Sequence, residues 1–71
     1  MEEYKNILKQ IGLNFRVART RQKLSQEKCA EICNVHTNYI GKVERGEQNV
    51  TIKKLVFLCN SLDIPIKEII K

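Results

Sequence analysis

Three thiols and one imidazole are the side chains best equipped for chemistry: Cys29, Cys33, Cys59 and His36. Cys29 and Cys33 stand four apart, on one face of a helix, and with Cys59 and His36 a zinc site can be drawn. Structural zinc sites, however, normally use two such cysteine pairs, or a cysteine pair with a histidine pair. The cysteines therefore read as small buried hydrophobes, and neither a metal nor a cofactor is expected. An odd count of three also speaks against a disulfide-stapled secreted domain and for a reducing, cytoplasmic setting. For catalysis the chain offers one histidine, no Ser-His-Asp set, no glycine-rich phosphate loop and no acid pair on an apolar face. An enzyme is not expected.

A second group of residues suits recognition. Thr37, Asn38, Gly41, Lys42 and Arg45 fall on the outward side of one helical stretch whose apolar side is Ile40 and Val43, with Tyr39 partly covered. Asparagine reads adenine bidentately, lysine donates to guanine O6 and N7, and a threonine methyl suits the thymine methyl. A plain solvated face is the alternative, although such faces more often carry Glu/Lys pairs. The charge balance leans toward recognition. Thirteen basic residues against eight acidic give a net charge of +5, which favours a polyanionic partner, most often nucleic acid. With 71 residues, 42% of them hydrophobic, there is material for one core and none for a deep catalytic cleft.

The elements that must position these residues read as helices throughout, because apolar residues recur at helical spacing and no long β-alternation or hairpin signal occurs. Leu8, Ile11, Phe15 and Ala18 mark a first helix over 4–21. Ser25 caps a second over 25–33, which buries Cys29, Ala30 and Cys33 and ends at Asn34, a residue that tolerates the left-handed conformation. A third runs over 36–45 and is stopped by Gly46. Thr51 caps a fourth over 51–62, with Ile52, Leu55, Leu58, Cys59 and Leu62 inward. Pro65 suits the first turn of a fifth over 65–70. The expectation is an all-α, single compact five-helix domain spanning 1–71. The short link between the second and third helices forces a steep crossing, the geometry of a helix-turn-helix whose second member enters the major groove. No apolar run is long enough to cross a membrane, and MEEYKNILKQ lacks the basic-then-apolar pattern of a secretory signal.

Leu24–Ile70 resembles the helix-turn-helix family of phage Cro/C1-type repressors, the XRE family, most specifically through LSQEKCAE and YIGKVERGE; Phe15–Arg19 is similar to its first helix. HTNYIGKVERGEQNVTI followed by a short last helix looks most like the controller proteins of restriction–modification systems. The resemblance implies a sequence-specific regulator of double-stranded DNA, acting as a homodimer on a pseudo-palindromic operator. It implies base reading by Thr37, Asn38, Lys42 and Gln48, and backbone contacts from Gln26, His36, Tyr39, Arg45 and Asn49. It also implies a structural ion pair between Arg19 and Glu44. Two departures stand out: Asn34 replaces the usual turn glycine, and His36 replaces the usual Ser or Thr cap. A phage-like repressor, an antitoxin, or a helical interaction module that binds no DNA are the alternative readings.

Val56, Phe57, Ile64 and Ile70 exceed what one small core can bury, and predict a two-fold dimer patch, with scattered surface hydrophobes as the alternative. The resemblance also implies that Glu27 and Glu31 on the second helix meet RNA polymerase; helix-dipole complement is the simpler role for these acids.

Overall fold

The computed structural model describes residues 2–71; Met1, the first residue of the expected 1–71 domain, lies outside the described residues. The chain forms α1 (Glu2–Arg21), α2 (Gln26–Cys33), α3 (Thr37–Glu44) and α4 (Ile52–Leu62), followed by a single 3₁₀ turn at Ile66–Glu68.

The starts of α2, α3 and α4 are capped by side chains. Ser25 Oγ accepts from the Lys28 N–H at 3.0 Å and Thr51 Oγ1 from the Lys54 N–H at 3.0 Å. His36 does the same for α3 through Nδ1, which accepts from the Asn38 N–H at 3.1 Å. Each satisfies a backbone donor that the first turn leaves without a partner.

All four helices stop in the same way. One residue turns left-handed and the next N–H reaches back to a carbonyl five residues earlier: Leu24 to Arg19, Val35 to Ala30, Glu47 to Lys42, Ile64 to Cys59. The left-handed residues are Lys23, Asn34, Gly46 and Asp63, with φ of 60, 57, 74 and 57°. Only one is glycine, so three helix ends carry a Cβ penalty of about 1–2 kcal/mol, offset by the carbonyls that the motif satisfies.

The expected fifth helix over 65–70 is not formed, and the described residues hold four α-helices and one 3₁₀ turn. Pro65 is extended (φ −62°, ψ 132°) and offers no side-chain cap. The carbonyl of Ile69 accepts from Asn14 Nδ2 of α1 at 2.9 Å, and the Ile69 side chain is fully buried. Six residues carrying three β-branched isoleucines cannot offset helix nucleation; what holds this segment is its docking on α1 and α4.

The core joins Phe15 and Ala18 of α1, the Cys29, Ala30 and Cys33 face of α2, Ile40 and Val43 of α3, and Leu55, Leu58, Cys59 and Leu62 of α4, closed by Ile64 and Ile69. Ile52, expected inward, is 63% exposed, because the first residue of α4 projects past the core's edge. Helix α2 packs on both α3 and α4, and α1 crosses α3. That crossing turns on Gly12, where a Cβ would run into the carbonyl oxygen of Val43 and stand 2.6 Å from that of Glu44.

Candidate nucleic-acid interface

Helix α3 is held from behind. Ile40 and Val43 are buried at 0% and 2% exposure, which leaves the opposite face to carry Asn38 and Lys42. Both are exposed and four residues apart, so they project side by side; Thr37 beside them is half-buried. Gly41, expected on this outward face, is buried instead. The Arg45 guanidinium folds back over it, with Nη1 3.0 Å from where a Cβ would sit, and Gln26 Oε1 lies at 3.7 Å. A side chain at 41 would displace both polar groups.

Around this face the other candidates fall into place as follows. His36 caps α3 through Nδ1, which leaves Nε2 for another partner. Tyr39 is half-buried against the core, and burial raises its phenol above the ordinary range. The Lys54 ammonium stands 5.5 Å from the Tyr39 ring centroid and 4.9 Å from that of Phe57, a cation–π bridge between α3 and α4 that periodicity does not reveal. Arg45 pairs with Glu47 at 3.2 Å on the surface. Gln48 is half-buried, Asn49 is exposed, and the Tyr4 hydroxyl donates to Asn49 Oδ1.

Behind α3 lies a buried polar network. Arg19 donates from Nε to Glu44 Oε2 at 2.6 Å, from Nη2 to Glu44 Oε1 at 3.1 Å, and from Nη1 to the Leu24 carbonyl at 2.6 Å. Gln26 Nε2 donates to Glu44 Oε1 at 3.0 Å. The bonds to Glu44 hold the guanidinium charged despite its desolvation, raising the Arg19 pKa above its ordinary high value. One donor of the Gln26 amide is thus committed inside the protein, and its second N–H and its backbone N–H remain for an outside acceptor. The network ties α1, the start of α2 and the end of α3 together, which sets the pose of the exposed face.

The residues expected in a dimer patch divide. Val56, Phe57 and Ile70 are 37%, 46% and 41% exposed. Ile64 is not available to a partner: it is 6% exposed and belongs to the core. The left-handed Asp63 turns the chain back so that Ile64 closes over the end of α4. Ile66, 37% exposed on the 3₁₀ turn beside α4, is an apolar surface residue that sequence reasoning had assigned to a helix.

Cys29, Cys33 and Cys59 are buried and unpaired. Burial pushes Cys29 up to about 12 and Cys59 up to about 11; Cys33 is raised by the same cause. Among the described residues no group of three His, Cys, Asp or Glu side chains is placed to share a metal ion, and no helix is long and apolar enough to cross a membrane.

This layout is shared with known proteins. Residues 15–69 match the helix-turn-helix family. The control protein C.SmaI of Serratia marcescens is 42% identical over 57 residues, covering 80% of this chain and 68% of that protein. The crystal structure of the restriction–modification controller protein C.AhdI from Aeromonas hydrophila superposes with a TM-score of 0.81 at 37% identity, over 87% of this chain and 94% of that one. The controller protein C.Esp1396I, solved as a tetramer in complex with its natural 35-base-pair operator, superposes with a TM-score of 0.77 at 29% identity, over 92% and 96% of the two chains. The chain belongs to the helix-turn-helix family and, within it, to the restriction–modification controller proteins.

Proposed function

We propose that this protein is a cytoplasmic transcription regulator that lays α3 in the DNA major groove and binds a pseudo-palindromic operator as a homodimer, controlling the genes of a restriction–modification system. The observation that carries the reading is the division of α3: Ile40 and Val43 anchor it while Asn38 and Lys42 stand exposed together on the other side. In this reading Asn38, Lys42, Thr37 and Gln48 read base edges. Gln26, His36, Tyr39, Arg45 and Asn49 contact the backbone, which fixes register and carries no direct sequence information. One eight-residue helix touches only a few base pairs, so operator specificity requires two copies on a two-fold site. The exposed Val56 and Phe57 of α4, with Ile66 and Ile70, supply the apolar surface for that pairing.

The test is selection of bound sites from random duplexes, followed by titration of variants against the selected and a scrambled duplex. Asn38→Ala and Lys42→Ala each lose about 1–3 kcal/mol per half-site and relax the preference at particular base pairs. Equal loss on both duplexes would remove α3 as the reader. The exposed carboxylates of Glu27 and Glu31 are the proposed contact for RNA polymerase, although Glu31 is bridged to Lys28 at 2.7 Å. In vitro transcription with Glu31→Lys, at unchanged DNA affinity, tests this contact; unaltered output rejects it.

A further inference from the structure

Residues 2–14 lie ahead of the span 15–69 that matches the helix-turn-helix family, yet they form more than three turns of α1. This extension lies along the loop that follows α3. Gly46 is packed so closely on it that a Cβ there would stand 2.8 Å from Lys9 Cα, and the Tyr4 hydroxyl is bonded to Asn49. Between the two segments runs an open cleft of about 490 Å³, whose walls include Lys5 and Lys9 of α1 and Arg45, Glu47 and Asn49 of the loop side.

The charges in that cleft are one-sided. Among the described residues, three cations face a single carboxylate, Glu47, which Arg45 already engages. Lys5 and Lys9 are exposed and four apart, so they point from one face of α1. Tyr4 takes the acceptor end of the Asn49 amide, which leaves its two Nδ2–H donors for an anion. We infer that this cleft holds the sugar-phosphate backbone of the duplex just beyond the bases that α3 reads, with Lys5 and Lys9 neutralising phosphates there and Tyr4 orienting Asn49. The inference rests on the regulator reading and widens its footprint. The cleft is continuous with Arg45 and Asn49, and its charge suits a polyanion where a neutral or basic partner would not be held.

The experiment compares the wild type with Lys5→Ala/Lys9→Ala and with Lys5→Arg/Lys9→Arg. Two probes are used: the selected duplex carrying a full turn of flanking DNA on each side, and the same duplex trimmed to its half-sites. Unchanged melting by circular dichroism establishes that each variant is folded. On the long duplex the alanine variant loses about 0.9 from the slope of log K against log salt for each lysine in each bound copy, with its base preference kept. The arginine variant keeps the slope, and trimming weakens the wild type but not the alanine variant. Equal slopes for wild type and alanine variant, or equal sensitivity to trimming, would overturn the contact while leaving the regulator reading intact. A wild type that does not distinguish its selected duplex from a scrambled one would overturn both.

Discussion

Removing the Glu44 carboxylate tests how the exposed face of α3 is held. Glu44→Ala deletes the acceptor for three hydrogen bonds, two from Arg19 and one from Gln26. Arg19, a residue 8% exposed, is left with the Leu24 carbonyl as the remaining acceptor for its guanidinium. Breaking a buried pair from one side in this way costs about 3–5 kcal/mol, whereas an exposed pair would lose about 1 kcal/mol or less. At about 0.05–0.15 kcal/mol per residue, a chain of this length has about 4–11 kcal/mol to lose. The variant is therefore at the edge of folding at room temperature, with its melting temperature lowered by tens of degrees.

The pair itself is not the main source of stability; the uncompensated charge is the penalty. Arg19→Met with Glu44→Leu accordingly recovers most of what Glu44→Ala loses, because apolar side chains can replace a buried ion pair without net cost. Urea unfolding followed by circular dichroism gives all the values needed for the cycle. The raised Arg19 pKa adds no slope near neutrality: stability from a raised base is fully present below the unfolded pKa and is lost only above it, far into alkali. A loss below about 1 kcal/mol for Glu44→Ala, or a double variant no more stable than the single, would refute the argument.

Gly12→Ala gains about 1 kcal/mol of helix propensity but forces α1 off the carbonyls of Val43 and Glu44. The clash wins, and a net loss of about 1–3 kcal/mol is expected in thermal unfolding. Cys29 and Cys59 resist alkylation in the native state at neutral pH and react once unfolded, as mass spectrometry of iodoacetamide adducts will report. Their raised pKa values mean that the folded state keeps protons the unfolded state releases, so stability falls as pH rises from the ordinary thiol value of about 8.5 toward 11 and 12. A denaturation midpoint flat over that range would contradict it. Phe57→Asp shifts sedimentation from dimer to monomer and weakens operator binding more than binding of a single half-site; an unchanged sedimentation coefficient counts against the α4 patch.

What the sequence reveals divides by the range of the interaction. Caps and stops are local, so Ser25, Thr51 and Gly46 mark the ends of helices by their own chemistry, and periodicity places Ile40 and Val43 opposite Asn38 and Lys42. The failures come where tertiary packing decides. Ile52 continues the apolar spacing of α4, yet the core ends before it, and Ile64 looks surplus until the turn at Asp63 folds it inward. The six residues from Pro65 show the same limit: a proline and three isoleucines at helical spacing read as a helix, but the carbonyl of Ile69 is claimed by Asn14, fifty-five residues away. Gly12 carries no local signal, since a glycine inside a helix weakens it by the propensity scale, and only the carbonyls of another helix explain why nothing larger fits. Gln26 makes the point for the interface. Its position at the start of α2 suggests an outward role, while its hydrogen bond to Glu44 ties it to the network that orients α3. In a domain this small the groups that would meet DNA and the groups that hold the fold are within one hydrogen bond of each other, so a variant at Gln26 must be read for stability before it is read for binding.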